Sequence, residues 1–297
     1  MDSESLRTFV AVHRAGGFSA AADALHRSQP AISRRIALLE AELRAPLFER
    51  VAGGVVLSSM GRALLPQAER VLAALRDAAD VAGDLRAGQA GPVALAAVGT
   101  LAGEPLTRQL RRFAAAFSKV QLSLRTATSD QVSDLVRRGE VTLGLRYYDD
   151  PEPDLVSHPL RPEPLGVVCA PEHPRAGDGV ASLRDLKGER WLAFPKPDER
   201  GEVSAGKIFA EFLVRDVARI AWTAVDSLTA QKRLVEAGFG IALLPQGAVA
   251  EELAAGSLAR IRVEDLQASN PVCAVVRADG YLSPAARALL GWLQAEI

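Results

Sequence analysis

Apolar residues recur with helical period through the first third of the chain and in short strand-like runs through the rest. Between residues 18 and 43 the pattern predicts two short helices joined by a tight turn. The first runs from about Ser19 to Leu25, where Ala20, Ala21, Ala22 and Ala24 let another helix approach closely. His26-Arg27 breaks the pattern, Ser28 is placed to cap the second helix, and Pro30 sits in its first turn, where a missing N–H is harmless. Ile32, Ile36, Leu39 and Leu43 then fall on one stripe, with Pro30, Ser33, Arg34 and Ala37 opposite and Gln29 at the leading end. A helix that buries isoleucines and presents Gln, Ser and Arg suits the major groove of DNA, where these side chains meet base edges and the helix N-terminus favours phosphate. Residue types alone leave a second reading open, an ordinary helical hairpin with a solvated polar face.

Pro46–Val51 and Val55–Leu57 predict a hairpin turning at Gly53-Gly54, a wing. Residues 59–86 predict one long helix with a seam of Leu65, Ala68, Leu72, Leu75, Ala79 and Ala82. Leu64, Val71, Ala78 and Leu85 widen that seam, and Arg70, Arg76, Asp77 and Asp84 flank it. Such a seam is expected to meet a partner helix; packing on its own domain is the alternative. Ala87–Pro92 carries helix-stop residues. From Val93 onwards apolar strands alternate with amphipathic helices, the signature of α/β units with parallel sheets.

The first sixty residues resemble the N-terminal domain of the LysR-type transcriptional regulators. The resemblance is carried by Leu6–Val12, Gly16–Ala22, Leu25, Ser28–Arg34, Ile36, Leu39-Glu40, Leu43 and Leu47–Arg50. It implies a fold of α plus α/β class: a winged helix-turn-helix (1–58), a long linker helix and hinge (59–91), and a two-lobed α/β effector domain (92–297) similar to periplasmic binding proteins. Lobe I is expected to comprise 92–161 and 268–297, and lobe II 162–267. The implied partners are double-stranded DNA, a small-molecule effector and the protein itself, as homodimer or homotetramer; two-fold symmetry predicts an inverted-repeat operator. The residues expected at DNA are Arg27, Ser28, Gln29, Pro30, Ser33, Arg34, Arg35 and, at the wing base, Arg50. The wing departs from the family pattern, with Val51-Ala52-Gly53-Gly54 in place of a basic tip and Ser58-Ser59 in place of Thr-Pro.

Net charge is −1, yet residues 1–62 hold eight Arg, no Lys and six acids, leaving the nucleic-acid-facing portion at +2. Asp2, Glu4 and the absence of any long apolar run argue against a signal peptide or membrane span, so a cytoplasmic location is expected. Cys169 and Cys273 each lie in an apolar run and are expected to be buried strand residues, not a redox pair. The four histidines are scattered without metal-ligand spacing, and no nucleophile motif or phosphate loop occurs. No cofactor, metal or catalytic residue is expected. A cytoplasmic solute-binding protein, or an enzyme using the two-lobed cleft, is the alternative to a regulator.

Ligands of open α/β sheets bind beyond the C-terminal strand ends. Four such ends supply the effector candidates Thr100 and Leu101, Thr128 and Ser129, Phe194 and Pro195, and Thr223 and Asp226. Thr128, Ser129, Asp226 and Ser227 also suit helix capping. Arg146 ends an apolar strand beside Tyr147 and Tyr148, where a guanidinium clamps a carboxylate; pairing with Asp149, Asp150 or Glu152 is the competing role. Together these point to a small organic anion as effector.

Overall fold

The leading 57 residues make three helices and a hairpin, because each apolar stripe finds the same core. α1 (Ser3–Ala15), α2 (Phe18–Ala24) and α3 (Gln29–Leu43) bury Leu6, Phe9, Val12, Ala21, Ala22, Ile32, Ile36 and Leu39 against one another. Asp2 caps α1 by accepting from the Ser5 N–H at 2.7 Å. His26, in the left-handed region at φ 53°, makes the tight turn between α2 and α3. β1 (Phe48–Val51) and β2 (Gly54–Leu57) form the wing, and Phe48 packs its ring 5.4 Å from Phe9 and 5.8 Å from Phe18. Glu40 fixes the wing's root by accepting from the N–H groups of Leu47, at 2.7 Å, and Phe48, at 3.3 Å. α4 (Ser59–Ala87) is a single helix, with Pro66 inside it.

The computed structural model describes residues 1–52, 54–87, 92–197, 203–204 and 206–296. The expected wing turn at Gly53-Gly54 and the hinge at 88–91 thus lie wholly or partly outside the described residues.

Lobe I is a five-stranded sheet in the order β4 (Leu122–Ala127), β3 (Val93–Val98), β5 (Leu143–Tyr147), β16 (Val272–Arg277), β6 (Leu155–Pro159). One face carries α5 (Glu104–Ala116) and α10 (Pro284–Glu296), whose Phe113 and Trp292 meet edge to face at 5.7 Å. The other face carries α6 (Ser129–Arg137). Lobe II centres on β7 (Glu163–Cys169), flanked by β13 (Ala242–Pro245) and β14 (Ala259–Val263), with β8 (Gly179–Val180) beyond β14. Around it lie β9 (Arg190–Ala193) paired with β12 (Ala221–Ala224), the short β10 (Lys196–Pro197) and β11 (Val203–Ser204), α7 (Gly206–Leu213), α8 (Leu228–Glu236) and α9 (Ala250–Ala255). The chain crosses from lobe I into β7 and returns through β15 (Ser269–Asn270), which pairs with the start of β7, so the two crossings bond to each other.

The expectation of parallel sheets holds only in part: β12 runs parallel to β9, and β14 to β8. β3 runs parallel to β4 and β5, but β16 is antiparallel to β5 and β6, and β7 is antiparallel to β13, β14 and β15. β16 re-enters lobe I against the direction of β5, and a local apolar run carries no sign of strand direction.

The expected seam of α4 is also corrected. Ala68 and Leu72, the latter 7% exposed, belong to the core of the chain's own helix-turn-helix domain, and Leu65 packs there too. Val71, Leu75 and Val81 stay exposed, Leu75 by 47%. Leu72 is thus inserted in the domain core while Leu75, one turn on, is left bare. The charged residues Arg76 and Asp77, expected merely to flank the seam, reach toward lobe I.

Candidate functional site

α3 presents its polar face to solvent because its isoleucines are buried behind it. Ser28, Gln29, Pro30 and Arg34 are exposed, and Ser33 and Arg35 are half-buried. Ser28 occupies the cap position; its side chain makes no capping hydrogen bond, and its carbonyl accepts from the N–H groups of Ala31, at 3.0 Å, and Ile32, at 3.2 Å. Gln29 donates through Nε2 to Ser33 Oγ at 2.8 Å, one turn along. The three arginines are not equivalent. Arg27 and Arg35 both face Glu4 of α1, at 3.6 and 3.2 Å. Arg34 has no ion-pair partner among the described residues and points outward with its charge unmet. Arg50 is likewise exposed on the wing. The surface therefore joins the exposed polar side chains of Ser28 and Gln29 at the helix start, one free guanidinium on the helix and one on the wing, the set that reads a groove and its flanking phosphates.

The second site forms where the lobes meet. A cavity of about 310 Å3 is lined by Thr100 and Leu101 of lobe I, the N-terminal part of α5, the crossing residues Leu160–Pro164, and Gly247 of lobe II. Tyr147 stands behind it. Its hydroxyl donates to Glu163 Oε2 at 2.6 Å. A phenol has one proton, so the 2.7 Å contact with Thr100 Oγ1 is Thr100 donating to Tyr147. Burial pushes the Glu163 carboxyl above its ordinary range, opposed by the Tyr147 bond, and burial beside Glu163 pushes the Tyr147 phenol up too. The Tyr147 N–H donates to Ser129 Oγ at 3.4 Å, bringing the start of α6 to the same place. Thr128 caps α6 in a reciprocal box with Gln131.

Arg146 does not join this group. Strand residues alternate faces, so Leu145 lines the cavity while Arg146 lies on the α6 side. There it is ion-paired with Asp150, donates to Ser133 Oγ at 3.0 Å and lies 3.6 Å from Asp130. Burial works to raise the Asp150 pKa, but Ser133, the Glu152 N–H, Arg137 and Arg146 outweigh it and hold the carboxyl low. Phe194 packs on the lobe II core, Pro195 is half-buried beside it, and Thr223 and Asp226 are exposed. None of these four lines the cavity. The cavity residues that sequence reasoning missed include Arg161 and Glu163. The signal for Glu163 was present, a carboxylate between two prolines in Pro162-Glu163-Pro164, which hold the chain extended where it enters β7.

Both thiols are buried. Cys273 donates to Asp149 Oδ1 at 2.9 Å. Among the described residues no cluster of ligating side chains could hold a metal ion, and no helix is long and apolar enough to cross a membrane.

Residues 3–62 match the family model described as bacterial regulatory helix-turn-helix protein, lysR family, and residues 86–297 match the LysR substrate binding domain. The regulator CbbR of Rhodospirillum rubrum is 30% identical over 292 residues, which cover 98% of this chain and 95% of CbbR. The regulator TfdS of Cupriavidus pinatubonensis is 31% identical over 84% of each chain. The crystal structure of CbnR, a LysR family transcriptional regulator, superposes with a TM-score of 0.70 over 100% of this chain and 99% of CbnR at 24% identity. With both domain models matched and a full-length relative at 30% identity, the protein belongs to the LysR family: it is a DNA-binding transcriptional regulator with an effector-binding domain, and not an enzyme.

Proposed function

We propose that this regulator acts in the cytoplasm as a homodimer or homotetramer on an inverted-repeat operator, and that its effector is a small organic anion held where the two lobes meet. α3 and the wing are the DNA-reading surface, with Arg34 and Arg50 as its free cations. The exposed stripe of Val71, Leu75 and Val81 on α4 supports pairing of chains.

The observation that carries the effector reading is the cavity at the crossing. Leu101, Leu106, Leu145, Leu160 and Val272 make it apolar, and Arg161 at its rim has no ion-pair partner among the described residues. An apolar chamber with one unmet guanidinium suits a carboxylate on a hydrocarbon body. Arg146, whose charge is answered by Asp150, supports this reading less than its place in the sequence suggested. A ligand seated there touches both lobes, and so biases their relative arrangement.

Thermal shift on the full chain with matched pairs tests the proposal: benzoate against benzamide, and hexanoate against hexanamide. The expected result is stabilisation by an acid and not by its amide, lost in Arg161→Ala. Stabilisation by the amides alone, or an acid response that survives Arg161→Ala, overturns it.

A further inference from the structure

We infer that α6 is the element that couples the lobe junction to the DNA-binding domain, and that Ala73, Arg76 and Asp77 of the linker helix are the seat on which its far end rests. The inference rests on a ligand occupying the junction, and its test uses DNA alone.

Each end of α6 is anchored to a different part of the molecule. At the N-terminal end, Ser129 Oγ receives the Tyr147 N–H at 3.4 Å. The Tyr147 hydroxyl bonds Thr100 and Glu163, both of which line the cavity. A ligand that displaces either therefore pulls on the strand end to which α6 is tied.

Between its ends α6 lies flush on the sheet. Gly144 beneath it has no room for a side chain: an added β-carbon would come within 2.6 Å of Val132 and 2.9 Å of Val136. Arg137 and Arg146 converge on the buried Asp150, and Ser133 bonds Arg146. Nine residues of helix span about 13 Å. So fastened, the helix moves as a rod or not at all.

At the C-terminal end the chain turns through Gly139, in the left-handed region at φ 62°. There it meets the linker helix. Ala73 is fully buried, and an added β-carbon on Gly139 would lie 3.2 Å from its own. One turn further along α4, Arg76 donates to the Arg138 carbonyl, and Asp77 pairs with Arg277 and accepts from the Tyr281 N–H at 3.3 Å. Glu140, just past the turn, receives Arg14 of α1 at 2.7 Å. Positions 76 and 77 are three and four residues from position 73 and so lie beside it on α4. The contact joins four segments of one chain that are far apart in sequence, with a small residue opposite a glycine and an ion pair beside it. That is a fitted interface.

Coupling is reciprocal: if α6 carries the state of the junction to the DNA-binding domain, DNA must change α6. Hydrogen exchange is measured on the full chain, free and bound to a duplex that the protein selects from a random pool. In the wild type, DNA should change exchange of amides in residues 129–142, which lie outside the DNA-binding domain, by about fivefold or more. Asp77→Arg should abolish that change while binding the duplex, and Asp77→Arg/Arg277→Asp should restore it by reversing the pair. Asp77→Asn, with the same readouts, takes the place of Asp77→Arg if that variant does not fold. Unchanged exchange in the wild type, a wild-type response in Asp77→Arg, or no rescue by the reversed pair overturns the inference. None of these results bears on whether benzoate or hexanoate stabilises the chain, so failure of the coupling and failure of the effector reading are told apart.

Discussion

Arg35 on the recognition helix is tied to Glu4 at the start of α1, 3.2 Å away, while its neighbour Arg34 faces solvent without a counter-charge. Adjacent arginines on one helix thus have different duties. Arg34→Ala should weaken operator binding by about 1–3 kcal/mol, the range of one good base contact, without altering the fold. Arg35→Ala should weaken it less, because its charge is already answered. Gel shifts on a selected duplex at fixed salt check both, and equal losses would mean that Glu4 gives Arg35 up to the DNA.

Leu72 and Leu75 separate folding from assembly. Leu72→Ala should destabilise the helix-turn-helix domain by about 2–5 kcal/mol, as other buried leucines do. Leu75→Asp places a charge on the exposed stripe and should lower the molar mass seen by light scattering while keeping native circular dichroism. An unchanged oligomer in folded Leu75→Asp would show that the stripe is not the contact.

Neither cysteine should sense oxidant. Burial raises the Cys169 thiol to about 11, and burial with the Asp149 contact raises Cys273 to about 12. The thiolate, the reactive form, is therefore scarce at neutral pH. Labelling of the native protein with iodoacetamide at pH 7 should be much slower than labelling of the unfolded chain. Fast labelling of either thiol contradicts this.

Glu163 should leave a pH signature on stability. Its pKa is raised in the folded protein by burial, so the folded state holds the proton more tightly than the unfolded chain does. Its contribution is full below the ordinary value of 4.5 and is lost as pH rises through the higher folded value. Glu163→Gln removes that loss and can still accept from Tyr147. The gain in Tm of the variant over wild type should grow with pH above 4.5, the reverse of the trend expected for Glu140 and Asp150, whose pKa values are lowered. A Tm difference independent of pH rules out this assignment.

Much of this was legible in the chain, for identifiable reasons. The recognition helix announces itself through the Ile32, Ile36 and Leu39 period and Pro30 at its start, and the strands of lobe I through runs such as Val93–Val98. Other elements carry weaker signals. β6 is an edge strand with Ser157 and His158 among its residues and pairs only with β16, so its pattern is mixed. β14 alternates Arg260 and Arg262 with Ile261 and Val263, a half-buried strand that a search for apolar runs passes over. The face taken by Arg146 follows from strand alternation, Leu143 and Leu145 on one side and Gly144 and Arg146 on the other. The seat of α6 was not legible, since Arg76 and Asp77 look like ordinary solvated charges until Arg277, two hundred residues away, is placed beside them.

Pairing through the bare residues on α4, as proposed above, would also make the regulator a counter of its own abundance. While chains are unpaired, each meets DNA with the grip of a single recognition helix; once paired, the first contact delivers the second at high effective concentration. At low expression the population of pairs rises as about the square of chain number, by mass action. Promoter occupancy then responds more than proportionately to how much of the protein is made, so a modest change in its synthesis is amplified before any small molecule arrives.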